Sequence, residues 1–311
     1  MSTTNVPVSS KQDNIYRSAS RPQWLDEQLY PFQSRFVEIE GNRIHYIDEG
    51  SGPTLFLLHP GVGWSFMYSD MIKELRSRFR CVALDLPGFG LSHAAPGYQH
   101  TLTGDSRLIE RFIQNLGLTD VTLLGHDVTG SIALGVVARR PEWFRAVIIM
   151  PSFAWPVESY RRIYAIIELV GSPFFRFLST HFDFFLEYTL KNITKKPKQH
   201  FSELEKQAYR GPNLDRAVRR YPHDLFKSVT QSHDYLADLE QRLSAIKAMP
   251  ALLIFGDTDG TIKMGWLARL ERIFPHHRTI IMKGSHHFPQ VYDSAAIADA
   301  IRNWWDEDVA S

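Results

Sequence analysis

Two hydrophobic periods alternate along this chain and outline its elements. Residues 36–40 and 44–47 alternate apolar and polar positions at period two, with Gly41-Asn42 between them, and predict a β-hairpin. Residues 54–58 are a continuous apolar run between Gly52-Pro53 and Pro60-Gly61, the signature of a strand covered on both faces. An amphipathic helix follows over 64–76, then a strand over 80–84. Residues 102–116 form a helix with Leu108, Phe112, Ile113 and Leu116 on one face. Val121-Thr122-Leu123-Leu124 is another buried strand, 131–137 a buried helix, and 146–150 a further strand. From 151 to 249 no strand pattern appears, while aromatics and helix-compatible segments are dense. The alternation then resumes, with strands over 251–255 and 279–282 and helices over 264–274 and 295–305. Strand–helix alternation on both sides of a helical block predicts an α/β fold, a mostly parallel sheet covered by helices, with a helical insertion.

The domain division follows from the same pattern. Residues 1–22 are polar and predict a flexible N-terminal tail; 23–150 and 250–311 make the core domain; 151–249 make a helical cap or lid. A chain of 311 residues can bury a full core. With 44% hydrophobic and 22% charged residues it has an ordinary globular composition. The 35 basic and 34 acidic residues leave a formal charge of +1, which points to neither nucleic acid nor an acidic membrane surface as partner. The N-terminus lacks an apolar signal segment, and the richest apolar stretch, 174–190, is broken by Arg176, His181, Asp183 and Glu187. A cytoplasmic enzyme, a monomer or small homo-oligomer, is the expectation. Cys81 is the one cysteine and sits in a predicted strand, so it reads as a small core hydrophobe.

The chemistry concentrates at three strand ends. Gly125-His126-Asp127-Val128-Thr129-Gly130 joins a buried strand to a buried helix through a glycine-flanked turn with Asp127 at its apex. Gly256-Asp257-Thr258-Asp259-Gly260 and Gly284-Ser285-His286-His287-Phe288-Pro289 each follow a later strand. Nucleophile, acid and histidine thus occur in the chain order of a hydrolase triad, on loops that gather at the carboxyl edge of a parallel sheet. A carboxylate nucleophile is already ionised at neutral pH and needs no base to activate it. His286 and His287 compete for the base, as Asp257 and Asp259 compete for the acid.

These motifs, with Leu58-His59-Pro60-Gly61-Val62-Gly63-Trp64-Ser65-Phe66, Asp85-Leu86-Pro87-Gly88-Phe89-Gly90 and Arg219-Arg220-Tyr221-Pro222, resemble the haloalkane dehalogenases and, more distantly, the α/β-fold epoxide hydrolases. The resemblance runs from about Trp24 to Trp305 and implies the α/β-hydrolase fold. It implies Asp127 as nucleophile at a saturated carbon, His287 as base for hydrolysis of the resulting ester, and Asp259 as the carboxylate that orients His287. It implies an oxyanion hole from the backbone amides of Gly61 and Val128, and a pocket near Trp64, Trp155, Tyr221 and Pro222. The loop 151–156 holds no carboxylate, which favours Asp259 as the acid. The substrate implied is small and hydrophobic, with water as co-substrate; no metal or organic cofactor is implied. One departure matters: the family's halide-stabilising tryptophan and asparagine are replaced by Val128 and Gly61. Three alternatives therefore stand beside dehalogenation: epoxide opening with a lid tyrosine as acid, action on a strained ester or lactone, and a ligand-binding protein that has lost turnover. Tyr160, Tyr164, Tyr188, Tyr209, Tyr221 and Tyr235 are the lid tyrosines, and Tyr221 is the leading candidate.

Overall fold

The protein is described by a computed structural model over residues 15–17, 21–193 and 201–310. Nine strands form one sheet in the order β1-β2-β3-β5-β4-β6-β7-β8-β9. They are β1 Ile15–Arg17, β2 Arg35–Ile39, β3 Asn42–Glu49, β4 Thr54–Leu58, β5 Arg80–Leu84, β6 Val121–His126, β7 Phe144–Ser152, β8 Ala251–Gly256 and β9 His277–Met282. The pairs from β4–β5 to β8–β9 are parallel, and the first three strands add antiparallel to one side. The expected α/β architecture is the one found.

Side chains alternate between two cores. Along β4, Phe56 and Leu58 enter one buried cluster, with Leu123, Val147 and Leu253 of neighbouring strands. Leu55 and Leu57 enter the other, with Leu124, Ile148 and Leu252. The apolar residues on both faces of the central strands are therefore covered by helices. Cys81 lies in the second cluster, fully buried, and burial pushes its thiol up to about 12.

Two local expectations need correction. The hairpin turns on Glu40-Gly41, both in the left-handed region (φ 52° and 76°), one residue earlier than the Gly41-Asn42 signal suggested. Asn42 is already in β3, where its side-chain amide donates to the Ile39 carbonyl and its oxygen accepts from the Ala95 amide. The tail expected over 1–22 lies mostly outside the described residues, but Ile15–Arg17 pairs antiparallel with β2. An edge strand presents a row of unpaired backbone groups, and a short extended segment satisfies them.

Between β7 and β8 the described chain is helical: Arg161–Val170, Pro173–Phe182, Phe184–Ile193, Glu203–Arg210, Tyr221–Thr230 and His233–Arg242. No single helix among the described residues is long and apolar enough to cross a membrane. What positions the site is the sheet order. The chain lays β5 on one side of β4 and β6 on the other, so the loops after β4 and β6 diverge, and a crevice opens at the carboxyl ends of the strands.

Candidate active site

Asp127 stands at that crevice. β6 ends at His126 and the helix Asp127–Arg139 begins on the next residue, which forces Asp127 to φ 56°. Such a backbone costs a non-glycine residue about 1–2 kcal/mol and is kept only where packing enforces it. The enforcement is visible. A Cβ on Gly125 would lie 2.9 Å from the Gly130 Cα, and one on Gly130 would lie 2.3 Å from the Ser152 Oγ. The Ser152 hydroxyl donates to the Asp127 carbonyl at 2.8 Å. The Thr129 hydroxyl faces the carbonyls of His59 (2.6 Å) and His126 (2.8 Å), tying the elbow to the loop after β4.

That loop brings Gly61 to Asp127. The Gly61 amide donates to Asp127 Oδ2 at 3.0 Å. A Cβ at Gly61 would lie 2.9 Å from the same oxygen, so this geometry has no room for a side-chain donor there. Pro60, which lacks an N–H, contributes its carbonyl to His59 Nδ1 at 2.8 Å, while His59 Nε2 accepts from the Leu86 amide at 3.0 Å. The Val128 amide is among the first N–H groups of the elbow helix, which have no intrahelical acceptor.

His287 closes the constellation from the loop after β9. Its Nε2 lies 3.6 Å from Asp127 Oδ1, and its Nδ1 lies 2.9 Å from Asp259 Oδ2. Asp259, itself buried, accepts from the Thr261 amide and hydroxyl at 2.8 Å each through its other oxygen. The competing residues point elsewhere. His286 is exposed and bonds the Thr258 hydroxyl, while Asp257 is exposed and accepts from the Gly284 amide as a turn residue. Burial pushes the Asp259 carboxyl up, but the hydrogen bond and charge of His287 and the Thr261 donors overcome it and hold it at about 2. At Asp127 burial likewise raises, and His287, His126 and the Gly61 amide more than offset it, so the carboxyl lies below its ordinary range. Burial lowers the His287 imidazole, but the close approach of the Asp127 carboxylate, the hydrogen bond to Asp259 and the charge attraction of both win and lift it to about 10.

Above Asp127 lies a cavity of about 550 Å³. Its floor includes Val62, Val128 and Phe153, and the helices between β7 and β8 supply Ile163, Ile167, Phe175, Phe185 and Phe226. Ile166 and Tyr188 also line it yet are 53% and 60% exposed, so the cavity reaches the surface beside these two cap residues.

Four expected pocket residues do not reach this cavity. Trp64 is buried, its indole donating to the Ala208 carbonyl at 3.0 Å among Trp24, Tyr30 and Phe66. Trp155 lies one layer behind the wall, edge-on to Trp266 and under the Arg269 guanidinium. Tyr221 and Pro222 begin the cap helix Tyr221–Thr230, and the Tyr221 ring docks so tightly on Gly88 that a Cβ there would fall 2.2 Å from it. Their aromatic and apolar character serves packing of the helical segment between β7 and β8 against the rest of the chain. Of the six lid tyrosines, Tyr188 is the one that lines the cavity. Trp266, which lines it too, sits in the helix after Asp259, where the sequence pattern marks only an amphipathic face.

Comparisons with known proteins place the chain in a family. The α/β hydrolase fold family matches residues 53–294. A Mycobacterium tuberculosis protein named haloalkane dehalogenase 2 is 33% identical over 278 residues, covering 89% of this chain and 96% of its own. A Shewanella oneidensis protein named cis-3-alkyl-4-alkyloxetan-2-one decarboxylase is 25% identical over 263 residues, covering 80% and 81%. Among solved structures, an ancestral haloalkane dehalogenase superposes with a TM-score of 0.80 at 22% identity, covering 89% of this chain and all of that one, a likeness of fold. The chain belongs to the α/β-hydrolase family, as a hydrolase of the haloalkane dehalogenase-like kind.

Proposed function

We propose that this hydrolase displaces a leaving group from a saturated carbon of an apolar substrate, through an ester formed on Asp127. The observation that carries the reading is the split environment of one carboxylate: Oδ2 held by the Gly61 amide, Oδ1 facing His287, both at the floor of an apolar cavity. A carboxylate oxygen attacks the carbon, the carbon–halogen bond breaks, and its electron pair leaves with the halide. His287 then takes a proton from water, whose oxygen attacks the Asp127 Cγ. The Gly61 and Val128 amides stabilise the oxyanion, and its collapse expels the alcohol, which takes the proton from His287. The regenerated carboxyl group releases the second water proton, and the net change is alkyl halide plus water to alcohol, halide and proton. Asp259 keeps the imidazole in the tautomer this needs.

The leaving group is where a second reading enters. Neither Val128 nor Gly61 offers a side-chain N–H, and loss of one such donor costs about 2.7–4 kcal/mol of barrier. A strained four-membered lactone asks less of the site, because its ring opening is driven by strain and leaves a carboxylate; the Shewanella relative supports that substrate class. An epoxide is supported by Tyr188, the cavity's one phenol. Wild-type protein incubated with 1-bromobutane, styrene oxide and a cis-3,4-dialkyl-oxetan-2-one separates these: bromide release, diol, or lactone opening, each against an Asp127→Asn blank. Turnover of none of the three would count against the reaction class.

The orienting role has its own test. Asp259→Asn is expected to lower kcat by about 10²–10⁴-fold, since the amide can favour the wrong tautomer of His287. Asp257→Asn should leave kcat nearly unchanged. Equal losses from the two would remove the distinction between them.

A further inference from the structure

We infer that His126 is a positioning residue, a buried clamp by which the nucleophile strand fixes the loop that carries His287. The inference rests on the proposed roles of Asp127 and His287 and adds to them a residue that touches neither substrate nor reacting atoms.

His126 is the last residue of β6, and its ring is wholly buried. Both ring nitrogens reach across to the same loop. Nε2 lies 2.8 Å from the carbonyl oxygen of His287, and Nδ1 lies 3.3 Å from the side-chain amide nitrogen of Gln290. A carbonyl can only accept, so Nε2 carries the proton; the Nδ1 lone pair then takes the hydrogen of the Gln290 amide. This arrangement leaves the Gln290 Oε1 buried without a partner. Turning the amide over would set that oxygen against a lone pair, so the unsatisfied oxygen is the consequence of the His126 tautomer. Burial, and next to it the nearby His287 charge, push the His126 imidazole down to about 3, which keeps it neutral as the clamp requires.

A packing role alone would suit an apolar ring better, because burying an imidazole costs free energy unless both nitrogens are bonded. What the bonds accomplish is specific. The carbonyl held is that of the base itself, while the next residue along from His126 is the nucleophile. The two imidazole rings also lie close, tilted with centroids 5.1 Å apart, and Phe288 packs edge-on to His126 at 5.5 Å. One side chain thus sets the separation of Asp127 and His287 across two loops that the sheet order alone leaves free to move. A misplacement of the base by about 1 Å can cost on the order of 100-fold in rate.

The loss should fall on one half of the reaction. Alkylation needs only Asp127, whereas ester hydrolysis needs His287. His126→Phe is therefore expected to lower kcat by about 10–100-fold with kcat/KM for 1-bromobutane nearly unchanged, so that KM falls with kcat and butyl-enzyme accumulates in the steady state. His126→Gln, whose amide nitrogen reaches the Nε2 position, should restore most of kcat; His126→Asn, whose amide stops short, should not, and it serves as the polar variant if the phenylalanine disturbs folding. A readout that needs no substrate accompanies these: hydrogen exchange of the segment 283–292 should quicken in the Phe and Asn variants and not in the Gln variant. Folded His126→Phe or His126→Asn protein with wild-type kcat and unchanged exchange would overturn the inference, as would kcat and kcat/KM falling together in all three. Failure of the covalent mechanism would show separately, as absence of any adduct in His287→Ala protein while the exchange pattern still reports on the clamp.

Discussion

Replacing Asp127 by asparagine is expected to lower turnover by at least about 10⁴-fold while the fold and the cavity remain. The fold remains because asparagine is, with aspartate, among the few residues that tolerate the left-handed backbone observed at this position (φ 56°). Its side chain is nearly the same size, so the Gly61 contact at 3.0 Å and the packing against Gly125 and Gly130 are kept. What changes is charge. A neutral amide cannot attack a saturated carbon, and it no longer attracts the His287 proton. The pKa of His287, lifted in the wild type by two carboxylates, should therefore fall in the variant. Steady-state rates and an NMR titration of His287 check both halves. Activity within about tenfold of wild type would mean that Asp127 is not the attacking group.

The second large effect concerns the base. His287→Ala is expected to take up one equivalent of a butyl group from 1-bromobutane and to keep it, because the ester forms without the histidine but is not hydrolysed without it. The intact mass should rise by a butyl group replacing a proton, and the Asp127→Asn, His287→Ala double variant should show no rise. The pH dependence of the two half-reactions should differ in the wild type. Asp127 is held below the ordinary carboxylate range, so alkylation should stay flat from pH 5 upward. Hydrolysis requires neutral His287. In the free protein that imidazole is raised to about 10; esterification of Asp127 removes one of the two anions responsible, so in the ester its pKa must drop. Single-turnover hydrolysis should then rise with pH along a limb whose midpoint lies below about 10. In the proposed mechanism the base is thus switched on by the step that creates its substrate.

Much of this arrangement is legible in the sequence because its signals are local. Continuous apolar runs such as Thr54–Leu58 can be satisfied only between two helical layers, and they are. The elbow is written in Gly125, Asp127 and Gly130, each demanded by a contact or a dihedral within a few residues. Of the competing pairs, His287 and Asp259 turn inward towards each other while His286 and Asp257 turn outward, since nearby side chains leave in different directions. The cavity wall was another matter. Trp64, Trp155, Tyr221 and Pro222 have the composition of a pocket but serve docking instead, while Ile163, Phe226 and Trp266 reach the cavity without any distinguishing pattern. Which face of a cap helix looks inward depends on how six helices pack on the core, and no local spacing records that. The contacts of His126 leave no local mark for a related reason: its partners, the His287 carbonyl and Gln290, lie more than 160 residues away.

The central claim is that Asp127 becomes covalently attached to substrate, and one turnover in ¹⁸O-labelled water tests it most directly. With protein in excess over 1-bromobutane, water attacks the Asp127 Cγ, so its oxygen should remain in the protein. The peptide containing Asp127 is then expected to gain two mass units, and the butanol formed in that turnover should be unlabelled. Labelled butanol with an unlabelled peptide would mean that water attacks the substrate directly, and that Asp127 acts without forming an ester.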